Sequence, residues 1–232
     1  MYNVIMHKRF IFNKGRDALR EIIRIYSIKE IYLPYYLCDV VRHTVVKEQC
    51  KPIFYHIDDK FFPAESFEKD NYILYPNYWG ICRKNVKKLV DTYPKLIVDN
   101  AHAYFDEPCG FACFNAGHKF GYKYSYLWLK ESGEKDFSNY LHNSNIKRDI
   151  AIRKEVFLKL NEKYKNDNLL NIDTESTPFV YPFLARTIDE ADNLVKELKR
   201  EGNTIYRYWN PLPKSYLEYK FYSKLVPIPI AN

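Results

Sequence analysis

Leu96-Ile97-Val98-Asp99-Asn100-Ala101-His102 is the stretch on which the fold turns. Three unbroken aliphatic residues read as a strand covered on both faces, as in a parallel sheet packed between layers of helices. A carboxylate follows at the strand's end, where burial is costly unless a partner takes the charge. Working outward, similar short apolar runs ending in Pro or Asp recur at 31–34, 52–58 and 72–76. Segments with helical spacing, 37–47 and 86–93, lie between them. This alternation implies βαβ units and a three-layer α/β fold, with a mostly parallel sheet and helices on both faces. Such sheets bind ligands at the carboxyl ends of their strands. Attention therefore falls on Tyr35-Tyr36, Asp58-Asp59, Asn77-Tyr78-Trp79-Gly80 and Asp99-Asn100-Ala101-His102.

Beyond residue 110 the rhythm changes. Residues 111–115 and 125–130 read as two more strands, joined by a loop that carries Gly117, Lys119 and Gly121. A polar stretch, 131–145, leads into an amphipathic helix over 146–165 whose apolar positions include Ile150, Val156, Phe157 and Leu160. A linker at 166–177 precedes a strand (179–185), a helix (188–201) stopped by Gly202, and a strand near Ile205. The division is a large domain over 1–145, then a linking helix and an abbreviated small α+β domain over 146–232.

Composition narrows the function classes. Hydrophobic residues at 47% and charged residues at 28% describe a globular chain. The net charge of +7 comes from basic residues spread along the sequence, with no nucleic-acid arm. No apolar run reaches the roughly 20 residues that span a bilayer. The five cysteines form no zinc framework, and their odd count without a signal peptide suggests reduced thiols and a cytoplasmic protein.

Three groups could carry chemistry. Gly15-Arg16 opens the first helix, where backbone amides approach a phosphate and Arg16 adds a charge-assisted bond; a plain turn is the alternative. Asp99 suits a protonated pyridine nitrogen, or else a backbone amide or arginine, and His102 lies within reach of the same ligand. Lys119 sits between glycines and an aromatic in Asn115-Ala116-Gly117-His118-Lys119-Phe120-Gly121. In an enclosed pocket it loses hydration, which lowers its pKa and makes its amine nucleophilic, as a Schiff base requires. On the surface it is one lysine among many.

In order, Gly15-Arg16-x-Ala18-Leu19, Leu33-Pro34-x-Tyr36-x-Cys38, Tyr55-x-Ile57-Asp58, Tyr75-Pro76-Asn77-Tyr78-Trp79-Gly80, Val98–Ala103 and His118-Lys119-Phe120-Gly121 resemble the DegT/StrS sugar aminotransferases. These are fold type I pyridoxal-phosphate enzymes, and 209–213 and 226–229 resemble the family's small domain. The resemblance implies that Lys119 carries the Schiff base and moves protons. Asp99 bonds the pyridine nitrogen, His102 contacts the ring hydroxyl and Tyr36 stacks on the ring face. Gly15 and Arg16 hold the phosphate, with Asn115 as a helper. It further implies a homodimer in which Asn77 or its neighbours serve the partner subunit. The implied reaction is transamination of a keto sugar nucleotide, with glutamate as amino donor, for surface polysaccharide or glycan biosynthesis.

Two other readings stay open at this stage. Some relatives carry histidine in place of the lysine and dehydrate a deoxysugar, a role His118 would take if the register slipped by one. A catalytically degenerate homologue would act as a binding or regulatory subunit.

Overall fold

The computed structural model describes residues 11–130, 144–209 and 211–230. Its main sheet has seven strands: β1 (Ile11–Phe12), β2 (Glu30–Pro34), β3 (Lys51–Tyr55), β4 (Ile73–Pro76), β5 (Leu96–Asp99), β6 (Ala112–Ala116) and β7 (Ser125–Leu129). Their spatial order is β1-β7-β6-β5-β4-β2-β3, which puts the Leu96–Asp99 strand at the centre. From β3 across to β6 every pairing is parallel; β7 is antiparallel to both β6 and β1. β1 therefore runs in the same direction as β6, and its end opens on the same sheet edge.

Alternation along the strands assigns the layers. Leu74, Ile97, Ala112 and Phe114 face a core built with α1 (Gly15–Ile25) and α2 (Asp39–Lys47), to which α1 contributes Ala18, Leu19, Ile22 and Ile23. Each such aliphatic side chain stabilises the packing by roughly 1.5–3 kcal/mol. Ile73, Tyr75, Leu96, Val98 and Cys113 face the opposite core, shared with α3 (Arg83–Thr92). That second core continues into the C-terminal residues, including Phe157, Tyr181, Phe221 and Ile228.

The long α4 (Ser144–Tyr164) matches its expected span. The 131–143 part of the polar stretch lies outside the described residues. The C-terminal region contributes β8 (Val180–Leu184), α5 (Ile188–Arg200), α6 (Tyr219–Lys224) and β9 (Leu225–Pro229). The strand expected near Ile205 is absent: β8 pairs antiparallel with β9 instead. Ile205 is buried as a single anchor between exposed neighbours, without the two-residue alternation of a half-buried strand. Prolines 182, 227 and 229 are tolerated because, among the described residues, this sheet has two strands, each with one side unpaired. No helix among the described residues is long and apolar enough to cross a membrane.

Candidate active site

Turns after β1, β2, β4, β5 and β6 converge at one sheet edge around a cavity of about 190 Å³. Its floor is Asp99, at the end of the central strand. One carboxylate oxygen accepts the Ala101 backbone N–H at 2.8 Å. Burial pushes the Asp99 carboxyl up to about 6; the Ala101 bond and the Lys119 charge oppose the rise.

His102 follows in the same turn and is clamped between aromatic rings. Trp79, Trp209 and Phe179 stack on it, with ring centroids 5.2–5.4 Å away. The Trp79 backbone N–H donates to Nδ1 at 3.3 Å, so the neutral ring carries its proton on Nε2. Nε2 lies 2.9 Å from the Lys119 amine. Burial holds His102 well below its ordinary value and Lys119 below an ordinary ammonium. Both shifts run toward the uncharged forms of the two groups.

Close backbone approach makes this clamp possible. In the 77–80 turn Trp79 and Gly80 both have positive φ. A Cβ on Gly80 would meet the His102 carbonyl oxygen at 2.4 Å and the Pro178 Cα at 2.9 Å. Only glycine lets that turn lie against the His102 backbone.

The opposite end of the cavity is cationic. Lys14, Arg16 and His118 line it beside the N-terminus of α1. The α1 N-cap residue Lys14 makes no side-chain cap, so the first helical N–H groups face this end without a competing side-chain acceptor. Gly15 keeps the approach open: a Cβ there would come within 3.1 Å of Ala116 Cβ. His118 is held low by partial burial and by its cationic neighbours Lys119, Lys14 and Arg16. A fixed anion would relieve that repulsion.

Asp99, His102, Lys119, Gly15 and Arg16 thus line one cavity. Two expected residues do not. Tyr36 is fully buried, donates to the Tyr208 carbonyl at 2.7 Å, and packs against Tyr78, Trp209 and Phe221. Its large ring is more stable inside the aromatic core than at the cavity wall, and Trp209 lines the wall instead. Asn115 donates to the carbonyls of Tyr104 and Asp106 at 2.9 and 3.0 Å and accepts from the Cys113 thiol. It braces the loop after β5 and has no donor left for a phosphate. Asn77 borders the cavity, but its side chain is spent on Asn100, Asp106 and the Cys82 N–H. It holds its own turn.

No protein-family model matches the sequence, and no curated protein matches it. Solved structures do. Spr1654 of Streptococcus pneumoniae, named as a sugar aminotransferase and solved in its PLP form, superposes with a TM-score of 0.70 at 14% identity; the match covers 96% of this chain and 82% of that one. PseC of Helicobacter pylori, an aminotransferase of pseudoaminic acid biosynthesis, gives 0.69 at 15% identity over 94% and 80%. NtdA of Bacillus subtilis, with bound cofactor PMP, gives 0.68 at 15% identity over 97% and 69%. The chain has the fold of the sugar aminotransferases. At these identities the likeness is one of fold, and function rests on the residues of the site.

Proposed function

We propose that the chain is a pyridoxal-phosphate-dependent aminotransferase that transfers an amino group from an amino acid, glutamate for preference, to a keto sugar nucleotide. The observation that carries this reading is the Lys119 amine, 2.9 Å from His102 in a cavity with a buried carboxylate at one end and cations at the other. The donor set fits pyridoxal phosphate. Asp99 would hold a positive charge at the ring nitrogen, which would offset the burial that raises its carboxyl. The Nε2–H of His102 would donate to the ring's phenolic oxygen. Arg16, Lys14 and the first N–H groups of α1 would hold the phosphate, and Trp209 would cover a ring face.

When bound, the group supplies an electron sink for charge developing on the donor's α-carbon. The remaining work belongs to the chain. Lys119, whose ammonium form burial disfavours, takes a proton at that carbon and returns one to the acceptor side. The aromatic rings around His102 exclude water from the path of that proton. His118 is exposed and borders the cationic end, whereas Lys119 meets His102. This supports a lysine base and amination over the histidine-based dehydration.

Adding pyridoxal phosphate to the purified protein tests the proposal. The wild type gains the absorbance band of a lysine-bound cofactor, and Lys119→Ala does not. A wild type that takes up no cofactor, or a Lys119→Ala variant with the same band, overturns it.

A further inference from the structure

Asn77 is a polar side chain in the interior, 2% exposed, in the turn that follows β4. Its amide is spent between two loops. Nδ2 donates to Asp106 Oδ2 at 2.9 Å and to Asn100 Oδ1 at 3.3 Å, and Oδ1 accepts the Cys82 backbone N–H at 3.0 Å. The backbone is tied as well. The Asn77 N–H donates to the Asp99 carbonyl at 2.9 Å, and the Asn77 carbonyl accepts the Gly80 N–H at 3.0 Å. The turn over 77–82 is thereby fastened to the loop after β5, which carries His102.

This fastening holds a backbone conformation that the chain disfavours. Trp79 has a φ of +57°, in the left-handed region where a bulky residue is strained. Its carbonyl accepts the Phe179 N–H at 3.1 Å, and its own N–H points at His102 Nδ1, 3.3 Å away. Relaxation of Trp79 to a negative φ would swing that N–H off the ring. A neutral imidazole carries its proton on either nitrogen, and the hydrogen bond made by one nitrogen decides what the other presents. With Nδ1 engaged as an acceptor, Nε2–H faces Lys119, whose Nζ lies 2.9 Å away. Without that bond, the ring is free to hold its proton on Nδ1 and to present only a lone pair to the cavity.

We infer that Asn77 is a positioning residue for His102. By clamping the strained turn to Asp106 and Asn100, it keeps the Trp79 N–H on Nδ1 and so fixes His102 as a donor at Nε2. Asn77 and Asp106 act through His102, on whatever accepts from that nitrogen. The inference rests on the aminotransferase reading only for the identity of that acceptor; the His102 tautomer is measurable without it.

Proton–nitrogen NMR of the full chain, labelled in its histidine rings and free of cofactor, reads the tautomer; His102→Gln assigns the signal. The wild type should show Nε2–H and an unprotonated Nδ1. In Asn77→Ala the ratio of the Nε2–H to the Nδ1–H form should fall about three- to tenfold, the worth of one neutral hydrogen bond. The signals of His43 and His56, outside the cavity, should stay in place. Asp106→Ala, which removes an acceptor from outside the turn, should move the ratio the same way by less, and it decides should Asn77→Ala fail to fold. In the cofactor-loaded protein, Asn77→Ala should slow the loss of the lysine-bound absorbance band at saturating L-glutamate about two- to tenfold. The L-glutamate concentration for half-maximal rate should not change, because a misaimed donor weakens the transition state and not ground-state binding. A wild-type ring protonated on Nδ1, a ratio or a rate unchanged in Asn77→Ala, or a shift shared equally by His43 and His56 overturns the inference. A wild type that takes up no cofactor defeats the aminotransferase reading alone, and the tautomer ratio still decides for Asn77.

Discussion

At the floor of the cavity, Asp99 and His102 sit in the protein interior, held by an aromatic clamp and a turn that only glycine allows. At the far end Lys14, Arg16 and His118 stand in solvent around an uncapped helix N-terminus. Both ends are suited to charge, but by different physics. The floor pairs charge in a medium where an unpaired group is expensive, so each residue there counts heavily. The rim sums several partial contributions in water, where each is screened and replaceable.

The sharpest way to break this comparison is Asp99→Asn. The substitution keeps the shape of the side chain and removes its charge, leaving a ring-nitrogen cation with no counter-charge in a buried place. Losing one member of a buried pair costs about 3–5 kcal/mol, so affinity for pyridoxal phosphate should fall by at least about 100-fold. The fall should barely respond to salt. A titration of cofactor absorbance at low and moderate ionic strength checks both statements. A loss below tenfold would mean that Asp99 is not the counter-charge.

The same residue predicts a pH dependence of the chain without cofactor. Asp99 titrates near 6 when folded against 3.8 when unfolded, so the folded state binds its proton more tightly. Between about pH 4 and pH 6 the folded chain therefore holds more protons than the unfolded one, and stability falls as pH rises through that window. The contribution is at most about 3 kcal/mol. Asp106, also buried and pushed up to about 6, adds in the same direction. Urea midpoints measured across the window should drop with rising pH, and less steeply in Asp99→Asn. Cofactor should flatten the slope further, and an unchanged slope in the variant would remove Asp99 from the account.

How much of this was legible in the sequence follows from how local each signal is. The strand at 96–99 and its terminal carboxylate were readable because burial on both faces leaves an unbroken apolar run. The order of Asp99, His102 and Lys119 was readable because successive parallel strands bring their carboxyl ends to one edge. The placement of the Tyr36 ring was not legible because its position after a strand says nothing about which way the ring turns, and a buried carbonyl from residue 208 receives its hydroxyl. Trp209 lies more than a hundred residues from His102 and reaches it only through tertiary packing, which periodicity does not encode.

The smallest expected effect belongs to the rim. Arg16 is exposed and shares the cationic end with Lys14 and His118, while the α1 N–H groups remain whatever side chain stands at 16. Arg16→Gln should therefore weaken pyridoxal phosphate binding only about two- to fivefold, in the range of an exposed ion pair. Because the lost interaction is exposed, the difference from wild type should shrink as salt is raised, on the scale of a Debye length of about 10 Å at 0.1 M. Parallel titrations of Arg16→Gln and Asp99→Asn at two ionic strengths make the contrast quantitative. A large, salt-insensitive loss at Arg16 would show that the rim is closed and desolvated when the ligand binds, and the two ends would then obey one set of physics instead of two.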